Sequence, residues 1–324
     1  MIKILATPLI QVPWWRNNRK VGWLLQAAFG LFLLIAIALL LANLERNLAR
    51  AGMRLTLGWM SQPAGFDIAE TLLPYKASDS YGRALLAGLI NTLRVVISGL
   101  ILATGLGVVV GAASFSANPL LRGITRIYVE LVRNIPLLLQ LVFWYFAVFL
   151  SLPPADQALH LPGLQLAKSG IYLFGARLIN GELEGGLRLS LELAALLTGL
   201  VIYSAAFIAE VVRGGIASVP KGQWEAAESL GLKPIQILRL VVLPQALRVI
   251  VPGLNSQYIS LAKNSSLAVA IGYPDLYAVA ETTLNQTGRG IEVFLLLLLI
   301  YLVLNLLISA AMNAINRLVR LQER

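Results

Sequence analysis

Apolar residues in this chain gather in six long runs, at residues 21–44, 92–115, 127–150, 189–212, 247–272 and 291–315, separated by shorter polar stretches. A bilayer core of ~30 Å is crossed by about 20 residues of helix, so each run is long enough to span a membrane. The expected architecture is all-α: an integral membrane protein of about six transmembrane helices, an N-terminal one followed by five more. The first run exceeds the ~7–15 residues of a signal-peptide core and no small-residue cleavage pattern closes it, so it reads as a retained anchor. In the second run Ala103, Gly107 and Gly111 recur every fourth residue and form one face on which another helix can approach closely. Residues 81–91, just before it, read as an amphipathic lead-in lying along the interface.

Composition agrees with that pattern. Of 324 residues, 58% are apolar and 13% charged, about half the charged share of a soluble domain. The formal charge of +10 raises the question of nucleic acid, but the basic residues are scattered around apolar spans rather than collected on one polar face, so lipid is the expected partner and nucleic acid is not. There is no cysteine and a single histidine, His160. Disulfides, thiolate metal sites and catalytic thiols are thereby excluded, and neither a metal site nor a catalytic constellation is expected.

Six spans place both termini on one side. Residues 1–20, 116–126, 213–248 and 317–324 hold 14 Lys and Arg, against 9 in residues 45–83, 151–188 and 273–290. The positive-inside rule assigns the first group to the cytoplasm. The expected division is an N-terminus and anchor over 1–45, an outer linker over 46–80, the main transmembrane domain over 81–315 and a tail over 316–324.

One segment on the basic side stands out, "GQWEAAESLGLKPIQILRLVVLP" at residues 222–244. Its first part, from Glu225 to Leu230, is rich in helix formers and stops at Gly231, a natural residue just past a helix end. Pro234 can open a second short helix over residues 235–243, and Pro244 precedes the next span. The expected form is a helix-turn-helix at the membrane surface, with small alanines for close approach and glutamates for charge.

The spacing of Glu225, Ala226, Ala227, Gly231, Val241, Leu243 and Pro244 resembles the EAA loop of ABC-importer permeases. The flanking "GGIASVPKGQ" and "LPQALRVIVPGLNSQYISLAKNSSLA", with "YVELVRNIPLLLQLVFWYF" further upstream, are similar to the polar amino-acid branch of that superfamily. The likeness covers about residues 80–315. The extension with "PAGFDIAETLLPY" resembles the general L-amino-acid and glutamate/glutamine/aspartate/asparagine permeases of Gram-negative bacteria.

The resemblance implies a non-catalytic permease subunit in the bacterial inner membrane. It would pair with a sister permease or a second copy, with two cytoplasmic ATPase subunits and with a periplasmic amino-acid-binding protein. No cofactor is expected on this chain, since it has no phosphate-binding loop and ATP would be bound by the partner. Glu225, Ala226, Ala227, Gly231, Leu243 and Pro244 would form the ATPase-coupling element, with Glu225 facing a cation there.

Polar residues inside a span are costly, and the fifth run carries Asn255, Gln257, Tyr258, Lys263, Asn264, Ser265 and Ser266, with Lys263 about midway. These are the candidate path residues, a positive group suiting an amino-acid carboxylate; the alternative is that Lys263 pairs with a neighbouring helix or a backbone carbonyl. Glu130 with Arg133, and Glu210 with Arg213, read as ion pairs three residues apart. Arg94 reads as snorkelling to the outer interface, and Asn134-Ile135-Pro136 as a bend in the third span. The loop over residues 151–188, with Asp156, Lys168, Arg177, Glu182 and Glu184, is the expected docking surface for the binding protein. A self-contained secondary transporter is the competing reading, though no repeated halves with paired broken helices are visible.

Overall fold

A computed structural model describes residues 18–50, 55–179 and 181–319. The basic residues of 1–17, Arg54 and the last tail residues, 320–324, used above to orient the chain, lie outside the described residues. The chain divides into two units, residues 1–57 and 58–324. In the first, α1 (Asn18–Arg50) is a continuous helix of 33 residues, about 50 Å long at 1.5 Å per residue. Leu, Phe, Ile and Ala fill it with no Gly–Pro break, and its apolar side chains are largely exposed, as suits a span facing lipid.

The second unit opens with a polar strap over residues 58–80. Trp59 is fully buried and stacks edge-on to Tyr81 at 5.8 Å. Helix α2 (Tyr81–Ala113) follows, capped by Ser80, whose side chain accepts from the Arg83 amide. Residues 81–91 are its first three turns rather than a separate interfacial helix. They carry Tyr81, Ala84, Leu85, Ala87, Gly88 and Asn91 on a buried face, packed under the strap and a later helix, so tertiary burial makes one straight rod of them.

The expected third span is broken. Helix α3 (Pro119–Asn134) and helix α4 (Leu137–Val142), the latter running into a π-helical stretch at Phe143–Phe149, meet at 104°. Ile135 takes extended backbone (φ −102°, ψ 126°) before Pro136, the conformation that a following proline demands. The Gln140 amide repairs the break, donating to the Val132 and Ile135 carbonyls at 2.9 Å each.

The stretch expected as a plain outer loop folds into short antiparallel strands: β1 (Leu159–Leu161), β2 (Leu164–Ala167), β3 (Gly170–Leu173), β4 (Arg177–Ile179), β5 (Glu182–Glu184) and β6 (Leu187–Leu189). β1-β2-β3-β6 form one sheet, and β4-β5 a separate hairpin. Glycines punctuate the alternating sequence, and at Gly186 (φ 66°) an added Cβ would lie 2.6 Å from the Leu173 carbonyl oxygen.

Helix α5 (Leu191–Ala217) is the central post. It meets α2 on the small-residue face: a Cβ at Gly107 would stand 2.5 Å from Ile208, and one at Gly111 would stand 2.7 Å from Val212. Next come α6 (Lys221–Ser229), the short α7 (Pro234–Ile237), a π-helical turn at Leu238–Val242, and α8 (Leu243–Asn264), which tightens into a 3-10 stretch at Ser265–Ile271. The expected second short helix is thus the lead-in of one long rod, because the π turn carries the backbone through to Pro244 without a break.

Between the last two spans, where only loop was expected, α9 (Leu276–Thr287) packs on α2, and α10 (Gly290–Val319) closes the bundle. The fold is mostly helical. Among the described residues, five helices are long and apolar enough to cross a membrane, or six if the bent α3–α4 pair counts as one.

Candidate functional site

The acid-and-glycine segment folds as a knob held on two long helices. Helix α6 starts after Pro220 and turns Ala227 inward, with Trp224 partly buried beside it. Both join a core made of Ile216 and Val219 at the end of α5, Ile237 and Val242 in the lead-in, and Ala246 and Ile250 in α8. Gly231 ends the helix at φ 75°, its N–H donating to Glu228 O at 2.9 Å and the Leu232 N–H reaching Ala227 O at 3.3 Å. No atom lies within 4 Å of a Cβ built at Gly231, so glycine is required there by backbone conformation and not by crowding. Gln245 ties the start of α8 to α6, donating to Val241 O at 3.0 Å and to the Gln223 side chain at 3.2 Å.

The opposite face of the knob is bare. Glu225, Ala226 and Glu228 point outward, and neither glutamate has an ion-pair partner among the described residues. Leu230 and Ile235 beside them are 80% and 70% exposed. Leu243 is exposed and Pro244 half-buried at the start of α8.

A second feature is a cleft of about 290 Å³ between α5 and α8, lined by Tyr203, Ser204 and Phe207 on one side and Gln257, Ser260, Lys263 and Asn264 on the other. Of the expected path residues, Gln257, Lys263 and Asn264 meet here. Lys263 is exposed, has no ion pair among the described residues, and sits at the end of α8, where the rod tightens into its 3-10 stretch. Tyr258 turns away, its hydroxyl 2.8 Å from Thr104 Oγ1 on α2. Ser265 is buried and donates to Ala262 O; Ser266 donates to Lys263 O. Asn255 is half-buried outside the cleft. Sequence reading missed the α5 wall, although Tyr203 and Phe207, four apart in an apolar span, put an aromatic pair on one face (ring centroids 4.9 Å apart).

The charged residues rearrange relative to expectation. Glu210 and Arg213 do pair, Nε to Oε2 at 2.9 Å. Glu130 does not pair with Arg133; it binds Arg126 at 2.8 Å, while Arg133 lies over the Phe207 ring at 5.0 Å. Phe207 draws the guanidinium toward α5, and Arg126 one turn back takes the carboxylate. Arg94 does not snorkel: it holds Glu70 of the strap at 2.5 Å, and Glu70 also accepts from Ser190 at the head of α5. Asn91 completes the clasp, donating to Glu70 O at 2.7 Å and Pro274 O at 2.8 Å.

Beneath the clasp, Asp275 caps α9 by accepting from the Ala278 amide at 2.9 Å. Burial pushes its carboxyl up to about 7, against the lowering effect of the Ala278 and Tyr277 amides. Burial likewise raises the Tyr273 phenol next to it. Among the described residues, no cluster of His, Cys, Asp and Glu could hold a metal ion.

Residues 103–321 match the family described as binding-protein-dependent transport system inner membrane component. The chain is 38% identical to a putative amino-acid ABC transporter permease protein, YhdX of Escherichia coli, over 95% of this chain and 96% of that one. It is 37% identical to the general L-amino acid transport system permease protein AapQ of Rhizobium johnstonii, covering 87% and 88%. Among solved structures, a crystal structure of an amino acid ABC transporter with histidines aligns with a TM-score of 0.57 at 26% identity. That alignment covers 73% of this chain and 94% of the other.

Proposed function

The chain belongs to the family of binding-protein-dependent transport system inner membrane components and is a permease subunit of an ABC amino-acid importer; from that premise we propose how it is driven and where its substrate passes. The outer face of α6 seats on a separate cytoplasmic ATPase, with Glu225 and Glu228 meeting cations there and Leu230 and Ile235 filling an apolar hollow. The inner face of the knob carries the reading. Ala227 and Trp224 belong to one apolar core with the end of α5 and the start of α8, the two helices that line the cleft with Lys263. A push on α6 therefore reaches both walls of the cleft without crossing a flexible joint.

In the same reading Lys263 and Asn264 meet the carboxylate of the passing amino acid, and the permease acts in a pair, two copies or this chain with a sister permease. Two ATPase subunits bind the nucleotide and a periplasmic binding protein docks on the β1–β6 unit. Both termini then lie in the cytoplasm of a bacterial inner-membrane protein. Family membership sets aside the self-contained secondary transporter.

Because the sequence has no cysteine, one introduced thiol is unique. Ala226→Cys in the assembled importer should cross-link to the ATPase subunit, and the same thiol at Arg177 in β4 should not. No adduct from position 226, with normal uptake, removes the docking role.

A further inference from the structure

Between α2, α3 and α5 lies a second cleft, of about 640 Å³, at the end of α5 that leads into α6. Four arginines line it, Arg122, Arg126, Arg133 and Arg213, against two glutamates, Glu130 and Glu210. Arg126 and Arg213 are spent on those glutamates. Arg133 lies over the Phe207 ring and within electrostatic reach of Glu210 without an ion pair to it, and Arg122 has no carboxylate partner among the described residues. The cleft therefore holds two positive charges in excess, in a protein whose surroundings are largely lipid. Guanidinium groups in such a place call for an anion that can accept several N–H donors, and a phosphate group does so.

Helix α3 supplies an independent observation. Three of the four arginines lie on it, and its other face presents Leu120, Ile124, Ile127 and Leu131, all exposed. A helix apolar on one side and basic on the other, turned 104° from the segment that follows it, has the form of one lying in the membrane–water boundary. In that position lipid tails would cover its apolar face, and its basic face would meet the phosphate level of the bilayer.

We propose that this cleft is a binding site for the phosphate headgroup of an anionic phospholipid, held by Arg122 and Arg133, with the acyl chains running along the apolar face of α3. The site is separate from the Lys263 cleft and touches it only through Phe207, which Arg133 covers. It stands whether or not α6 docks an ATPase.

The test is native mass spectrometry of the full chain in detergent, supplied with phosphatidylglycerol or phosphatidylcholine. The wild type should retain phosphatidylglycerol in clear preference. The Arg122→Gln/Arg133→Gln double variant should retain roughly 25-fold less, about fivefold per arginine as for basic groups at an anionic membrane surface. A charge-keeping Arg122→Lys/Arg133→Lys variant should retain most of it, and Arg177→Gln in the outer β unit should change nothing. Equal retention of the two lipids by the wild type overturns the site without reference to any variant. Undiminished phosphatidylglycerol in the double Gln variant overturns the assignment to these arginines. Displacement of the lipid by millimolar inorganic phosphate would make this a site for a soluble anion and overturn the lipid reading.

Discussion

The Asp275 carboxyl satisfies one oxygen on the first turn of α9, while the other is buried without a well-formed hydrogen bond, the Tyr301 hydroxyl lying near the carboxyl. Its pKa of about 7 in the fold compares with ~3.9 in an unfolded chain. Between those values the folded state holds a proton that the unfolded state has released. Stability is therefore greatest at the acidic end, falls as pH rises from about 4 to 7, and levels off above. Asp275→Asn keeps an acceptor for the Ala278 amide and cannot titrate, so the melting temperature of the purified protein should lose that part of its decline between pH 5 and 7.5. An unchanged profile would place the proton elsewhere.

Lys263 is the other decisive residue. Lys263→Met should reduce uptake about tenfold, the scale of one charge-assisted contact to a carboxylate, with the protein inserted at normal levels. Uptake at the wild-type rate with unchanged selectivity excludes it from the path. Its type and approximate place were legible in the sequence, because a lysine in an apolar run is rare. Its companions Tyr203 and Phe207 were not, since aromatic residues in a span are ordinary until the facing helix is known.

Among the elements, α2 and α5 show how three small residues fix a helix pair. The spacing of Ala103, Gly107 and Gly111 already marked the face, and the structure supplies the partner. Gly107→Leu drives a branched side chain into Ile208, whose Cγ2 is 2.5 Å from a bare Cβ, and neither backbone can retreat. Overpacking of this kind costs typically 1–3 kcal/mol. The expected result is a lower melting temperature in detergent and reduced yield, while Gly105→Leu, where a Cβ meets nothing within 4 Å, should be tolerated.

Other elements were only partly legible. Pro136 announced a bend, but hydrophobicity counts apolar residues without recording direction, so the 104° turn was hidden. The α9 helix was missed because Glu281, Asn285 and Gln286 keep it from reading as a span. Its end signals, Asp275 before and Gly288 after, were present all the same. The β1–β6 unit lay in Leu–Gln–Leu–Ala alternation and regular glycines, which a search for long apolar runs passes over.

In the molecule as a whole, a surface knob shares one apolar core with the two helices that wall the polar cleft. The resemblance pointed to the knob from its residue spacing, but not to this joint. The joint depends on Ile216, Val219, Ile237 and Val242, apolar residues that look like membrane filler in the sequence and become a shared core only when α5 and α8 are brought together. Disturbing the knob's outer face should therefore break transport and leave the bundle intact.

ATP-driven amino-acid uptake in proteoliposomes, with permease, ATPase and binding protein present together, tests this most directly. Glu225→Lys reverses a charge on the bare face, and Gly231→Pro denies the φ of +75° that ends α6. Each should leave the permease inserted at normal levels and reduce uptake more than tenfold, since truncating one partner of a desolvated charge pair costs roughly 2–5 kcal/mol. Uptake at the wild-type rate in both variants would contradict the claim that α6 carries the force.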